Sequence, residues 1–566
     1  MSDIDEVQAP LDRPRSVAQH LAERLSELGV QHLFGVPGDF NLSLLDALLS
    51  TGKFSWHGSP NELNAGYAAD GYARERGLGA VITTFGVGEL SCINAAAGSF
   101  AESVPVVHIV GMPSRADIAN HKLLHHTLLD GDLLHFRRAY EEFTAATEVL
   151  APESAFAQVD TALTIAMTEH KPVYLGVPRD IVNTCPDTAA PSEPISPSSA
   201  TAHSRNMFGD LVEERLACAT SLTILVGNGI RGSNQRAAVA AIAKRLGAPI
   251  AVLLSGRGTV DESDPSYVGV YCGDVGDETA SNAVENADLV LGFGVHLADS
   301  LSGMFTARLN SSRLINLCSN TSLVAGVPVS PLPVGTAMEV LEQLIISDGA
   351  GDHIDNGAIE TPQPLLVFDG PDDTVINQDN LWETLGRWLP RDVNFVVDIG
   401  TVFYGFMSQR VSKNSRVTVQ SIWNSIGYAI PAAHGQSLAS PDRRVIAITG
   451  DGAAQMTAHE ISAMARAGLS PIILLVNNDG YSIERAIQSP HALYNDLAPW
   501  DWIPLVKALS GTTPVLAVSC RTTSELRKAL EAAREKADHL CFLEIRADKY
   551  DYPPFMRSYL NGGAKR

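Results

Sequence analysis

Two stretches decide the fold: VIAITGDG at Val445–Gly452 and IILLVNNDG at Ile472–Gly480. Each opens as an apolar run of strand length, Val445–Thr449 and Ile472–Val476, and ends on glycine and short polar residues. A helical stretch beginning near Ala454 separates them, so the pattern reads strand, helix, strand, the unit of a parallel sheet. In open sheets of this kind, ligands collect at the carboxyl ends of the strands. Both runs deliver oxygen-bearing residues there.

Those residues suit one kind of chemistry. Magnesium takes six oxygens in an octahedron, usually one or two from side chains and the rest from phosphate and water. Asp451, the Asn478 side chain and the Gly480 carbonyl would supply three; a diphosphate and a water would supply the remainder. Gly450 and Gly452 let backbone approach the phosphates. Either motif alone also fits a tight turn. The pair, with Asp451 and Asn478 standing 27 positions apart, each after a strand, resembles the thiamine diphosphate signature.

Working outward, the chain of 566 residues is too long for one core and predicts about three domains. Pro- and Ser-rich Cys185–Asn206 and Gly/Pro/Asp-rich Ser347–Asn380, with its apolar patch Leu365–Phe368, read as linkers. They bound segments 1–190, 205–350 and 375–566. Each segment alternates β-like runs with helical patterns, so the fold class is α/β: three domains, each a mostly parallel sheet flanked by helices. In the first, Ser16 caps a helix with apolar positions Val17, Leu21, Leu25 and Leu28, stopped at Gly29; strands are expected at Ala80–Thr84 and Val104–Val110.

Composition excludes several classes. A net charge of -23 repels nucleic acid and anionic lipid, so neither is an expected partner. No apolar run reaches the roughly 20 residues of a membrane span, and MSDIDEVQAPLDRPR is not a secretory signal. Seven scattered cysteines without a C-x-x-C pair suggest reduced thiols and a cytoplasmic location.

The likeness extends through GVPGDFN (Gly35–Asn41), NELNAGYAADGYAR (Asn61–Arg74), TTFGVGELS (Thr83–Ser91), LHHTLLDGD (Leu124–Asp132) and NNDGYSIERAI (Asn477–Ile487). In order and over nearly the whole chain, these resemble the pyruvate decarboxylase group of thiamine diphosphate-dependent 2-oxo acid decarboxylases. That group includes indolepyruvate, phenylpyruvate and branched-chain enzymes. The resemblance implies pyrimidine-binding, middle and diphosphate-binding domains, with thiamine diphosphate and Mg2+ as cofactors. It implies a homodimer at minimum and favours a homotetramer, the Glu62 half and the Asp451 half of one site coming from different chains.

It also assigns roles. Glu62, in the first turn of an expected helix, would hydrogen-bond the cofactor's pyrimidine and activate it. His125, His126 and Asp39 would handle protons around the bound substrate. Glu484 would stand near the substrate carboxylate, buried and protonated to avoid repulsion. Thr401, Ile426, Gly450, Asp451, Gly452, Asn478 and Gly480 would hold the cofactor, Ile426 as its apolar wedge. Asn424 stands where many relatives carry glycine, a departure at the cofactor loop. Without the family, Glu62 reads as a carboxylate placed at a helix start, Asp39 as an Asx-turn residue, the histidine pair as surface decoration and Glu484 as a solvated helix residue.

Specificity is read from HLADSLSG. There, Ser300 takes a position that is aromatic in enzymes devoted to pyruvate and small in those that accept larger acids. With Phe403, Tyr404, Ile483 and Ile487 as an apolar wall, branched-chain or aromatic substrates such as phenylpyruvate and indolepyruvate are expected over pyruvate. Pyruvate decarboxylation proper and carboligation are the alternatives. A nicotinamide enzyme is a third, because GNGIRG at Gly227–Gly232 follows the run Leu222–Val226. The next strand, Pro249–Leu254, ends in Ser255-Gly256-Arg257 without the ribose-binding acid, so a middle domain without cofactor is expected. A catalytically dead scaffold would not keep Glu62, Asp39, His125, His126 and Glu484 together.

Overall fold

The computed structural model describes residues 15–186, 194–196, 199–230, 233–359, 373–412 and 414–563. The first fourteen residues, Arg231, Gly232, the Leu365–Phe368 patch and part of each linker lie outside them. Three sheets follow one another along the chain. The first has six parallel strands in the spatial order Ser55–Gly58, His32–Gly35, Gly79–Thr84, Val106–Met112, Val173–Pro178, Thr147–Val149. The third runs Arg416–Thr418, Asn394–Val397, Val445–Gly450, Ile472–Asn477, Leu540–Arg546, Val515–Cys520, again all parallel. Numbered within each domain, both orders are 2-1-3-4-6-5.

The middle sheet has seven strands, with Leu222–Val226 between Leu289–Phe293 and Ile250–Val252. It departs from a parallel sheet at one edge, where Ser322–Val324 pairs antiparallel with Leu314–Leu317 and Val327–Val329. Among the described residues, no helix is long and apolar enough to cross a membrane.

Local chemistry explains most element limits. Ser16 accepts the Gln19 N–H at 3.2 Å and the Gln19 side chain accepts the Ser16 N–H at 2.9 Å, a reciprocal cap opening Val17–Glu27. The strand expected from Val104 begins instead at Val106, because Pro105 offers no N–H to the ladder. Both linkers are shorter than expected. Thr201 caps a helix over Ala202–Cys218, and Asn377 with Asn380 caps Gln378–Trp388. The helix placed near Ala454 starts at Asp451, straight from the strand, and a second follows at Glu460–Arg466.

The first and third domains meet through corresponding helices, Glu62–Arg76 and Ala429–Ala439. The crossing is closed to side chains. A Cβ on Gly435 would lie 1.8 Å from the Ala68 carbonyl oxygen, and one on Gly71 would lie 2.3 Å from that of Ala432.

Candidate active site

The strand ends of the third sheet form a cavity lined by Gly400, Thr401, Ile426, Gly450, Asp451, Gly452, Asn478, Gly480 and Ile483, among others. Every residue assigned above to the diphosphate end is on its wall. Asp451 is buried, and its carboxylate accepts the N–H groups of Gly452 and Gly480, both at 3.0 Å. Burial outweighs those bonds and pushes its pKa up to about 7. A group so placed invites a cation.

The oxygens say the same. The Asn478 amide oxygen lies 3.2 Å from Asp451 Oδ1 and 2.8 Å from the Gly480 carbonyl, and turning the amide over would let its NH2 donate to both. Adjacent corners of an octahedron of radius about 2.1 Å are roughly 3 Å apart. The Asn478 oxygen therefore stands from each of the other two oxygens at about the edge length of a small hard-cation shell. Gly480, at φ 147°, is fixed by its neighbours, since a Cβ there would meet the Asn495 carbonyl at 2.2 Å.

Asp398 is a site residue that the sequence reading missed. It follows the strand Asn394–Val397 and is buried, accepting N–H bonds from Gly427, Tyr428 and Ala429 at 3.1, 3.0 and 3.3 Å and the Thr449 hydroxyl at 2.7 Å. It thereby anchors the segment that presents Ile426; burial pushes its pKa to about 6. An acid after an apolar run was the available signal. From the first domain, Glu102 accepts the Ile422 and Trp423 N–H groups, and Asp70 accepts the Tyr428 hydroxyl. Asn424 has φ 56°, the left-handed region where asparagine is the best-tolerated substitute for glycine.

The other half lies on the first sheet. Glu62 opens its helix behind the cap residue Asn61, is half-buried, and burial raises its pKa. Gly88 keeps room beside it, for a Cβ there would sit 3.2 Å from Glu62 Oε1. His125 Nε2 is 3.0 Å from Asp39 Oδ2, and its ring stacks on Phe40 at 5.0 Å. His126, at φ 60°, lays its carbonyl where a Gly86 side chain would be. The Gly86 N–H in turn donates to buried Glu89 at 2.7 Å. The Gly38 turn is held by Asn41, whose side chain accepts the Gly38 N–H at 2.9 Å, which frees Asp39 to face the histidine.

Five of the assigned residues stand off the third-domain cavity in the single chain. Glu484 is exposed, not buried, and the neighbouring Arg485 pairs with Asp496 instead. Phe403 and Tyr404 belong to the hydrophobic core rather than the cavity wall, Tyr404 stacking on Phe555. Ile487 is 64% exposed, while Ile483 does line the cavity. Ser300 lies off the wall and donates its hydroxyl to the Ser421 carbonyl at 3.0 Å, beside the Ile426 segment.

A larger cavity, about 340 Å³, lies between the first and middle domains, lined by Ser103 and His170 on one side and by Asn228, Gly229 and His296 on the other, away from these groups. The glycines there serve packing: a Cβ on Gly227 would fall 2.1 Å from the Gly294 carbonyl oxygen. Arg257 is locked to Glu262 at 2.7 Å and to the Met407 carbonyl at 2.8 Å, both side chains buried. It is not available to a nucleotide.

Within one chain, no hydrogen bond or ion pair among the described residues joins Glu62, Asp39, His125 or His126 to Asp451, Asn478 or Gly480. Comparison with known proteins names what the two halves share. Residues 15–133 match the thiamine pyrophosphate enzyme N-terminal TPP binding domain, 210–344 the central domain and 398–545 the C-terminal TPP binding domain. The fold and these matches define a thiamine diphosphate enzyme.

An alpha-keto-acid decarboxylase of Mycobacterium ulcerans is 38% identical over 555 residues, covering 97% of this chain and 96% of the relative. Enzymes of the same description from Mycolicibacterium paratuberculosis and Mycobacterium tuberculosis are each 37% identical, over 554 and 538 residues, covering 95% of both chains. The chain belongs to the thiamine diphosphate-dependent 2-oxo acid decarboxylase family and is a carboxy-lyase.

Proposed function

We propose that this enzyme converts a 2-oxo acid to an aldehyde and CO2, with Mg2+ tying thiamine diphosphate to the third domain. The observation that carries the metal assignment is the oxygen face of Asp451, Asn478 and Gly480. These would hold the cation, and Thr401, Gly450, Gly452 and Ile426 would line the cofactor's path. When bound, the cofactor supplies the carbon nucleophile and the electron sink. The protein's own residues set protons. Glu62, its pKa raised by burial, would hydrogen-bond a ring nitrogen of the cofactor. Asp39 orients His125 for proton return to the departing product. Glu484, exposed in the single chain, would approach the substrate carboxylate only in the assembled site.

Assembly is part of the proposal. Both halves are rimmed by exposed apolar side chains: Leu123, Leu128 and Leu129 around the histidines, Ile487, Leu493 and Tyr494 beside the cavity. Such patches favour a partner surface. A second copy, placing Glu62 of one chain over Asp451 of the other, buries both; pairing of dimers into a tetramer is the expected extension. For the substrate, branched-chain or aromatic 2-oxo acids over pyruvate remain the reading: Ile483 gives the cavity an apolar wall, and Ser300, off that wall in the single chain, adds a small side chain beside the Ile426 segment. Discrimination would be partial, about 1–3 kcal/mol per methylene. A 2-oxo acid panel with and without Mg2+ and thiamine diphosphate tests the reading. Turnover without either cofactor would overturn it, and a kcat/KM led by pyruvate would overturn the substrate preference.

A further inference from the structure

Three residues around Glu62 are tied to the third domain of the same chain. Ser59 Oγ donates to Glu460 Oε1 at 2.9 Å, and Asn64 Nδ2 donates to Glu460 Oε2 at 3.0 Å. Asn61, the cap of the Glu62 helix, places its amide nitrogen 2.6 Å from His459 Nε2. Glu460 also meets His434 Nδ1 at 2.6 Å, and both side chains are fully buried. A buried carboxylate is tolerated only when its oxygens are filled. Here the filling groups are the turn that carries Glu62 and a histidine of the helix crossing it.

The geometry fits a clamp better than a generic domain contact. The bonds fall at the residue before Glu62, two after it and three before it, so the first turn is held on both sides of the carboxyl-bearing residue. On the far side, the glycine at 88 leaves the carboxyl only a narrow slot. We propose that Glu460, with His434 and His459, is a positioning residue that fixes the direction of the Glu62 carboxyl. The inference rests on Glu62 being the activating carboxylate.

The test uses full-length Glu460→Ala, Glu460→Gln, Ser59→Ala and Glu62→Gln. Two readouts apply: cofactor-free amide exchange of peptides covering residues 59–66, and deuterium exchange at the reactive carbon-bound hydrogen of bound thiamine diphosphate, with no substrate present. In Glu460→Ala the peptides should lose protection and cofactor exchange should slow about 100-fold, the usual cost of a misplaced reacting group. Glu460→Gln, which keeps an acceptor and gains a donor for His434, should recover most of that loss. Ser59→Ala, a single lost bond at a part-exposed site, should slow cofactor exchange by roughly 3–10-fold. If Glu460→Ala does not fold, Ser59→Ala decides. Normal cofactor exchange in folded Glu460→Ala, or in Ser59→Ala where that variant does not fold, with Glu62→Gln slow, overturns the clamp alone. Normal exchange in Glu62→Gln overturns the reading of Glu62.

Discussion

The first and third sheets share one strand order, 2-1-3-4-6-5, all parallel, yet carry different chemistry at equivalent places. The segment after strand 2 presents Glu62 in the first domain and Ile426 in the third. The turns after strands 3 and 4 of the third domain present Asp451, Asn478 and Gly480. The turn after strand 3 of the first is the glycine-lined slot at 86–88, where His126 rests. One architecture thus serves as the platform for a cluster of turn oxygens in one domain and for a carboxylate–histidine set in the other. The scaffold sets where groups stand; the turns set what they do.

The sharpest way to break this division is to cripple each platform in turn. Glu62→Gln and Asp451→Ala should each lose at least about 100-fold in kcat/KM, the scale of a lost acid–base or charge-stabilising group. Mixing the two dead chains should then restore about one quarter of wild-type activity, because half the randomly paired two-fold dimers contain one intact site. No recovery after verified subunit exchange would place both platforms of a site in one chain.

Next in size is the seam between the platforms. Gly435→Ala would push a methyl into the Ala68 carbonyl and should cost about 3 kcal/mol or more, seen as an early onset of thermal unfolding. The alanine variant of exposed Gly468, with nothing within 4 Å but φ 67°, should cost only about 1 kcal/mol.

The first platform should also be the more acid-sensitive. Burial lowers the pKa of His57 and of fully buried His108 to about 3, from an ordinary 6.5. The unfolded chain therefore binds protons below pH 6.5 that the folded chain refuses, so stability falls as pH drops from 6.5 toward 3. His108→Gln should flatten that slope in unfolding titrations. The smallest effect belongs to the cofactor loop: at Asn424, with its φ of 56°, glycine should be nearly neutral and alanine should cost about 1 kcal/mol.

The third-domain platform was legible because its residues announce themselves locally. A buried apolar run ending in GDG or NNDG signals strand and turn together, and both strands stand within a residue of their expected ends. The first-domain residues were legible only through resemblance, since Glu62 alone looks like any acid at a helix start. What escaped were contacts between distant positions. Glu460 reads as a first-turn acid, and nothing near it in sequence points to Ser59 or Asn64. The packing of Phe403 and Tyr404 was hidden for a related reason. Aromatic residues after a strand suit a pocket wall or a core equally, and the packed C-terminal helix decides between them.

The Gly480 carbonyl has a further consequence. It is an oxygen that the genetic code cannot delete, since every residue at that position carries the same atom. For the cation site proposed above, a scan of side chains would therefore find only two donors, Asp451 and Asn478, and register position 480 as a steric requirement for glycine. Only a change to the main chain itself, such as an ester in place of the amide that follows Gly480, would weaken that oxygen as a donor without altering any side chain.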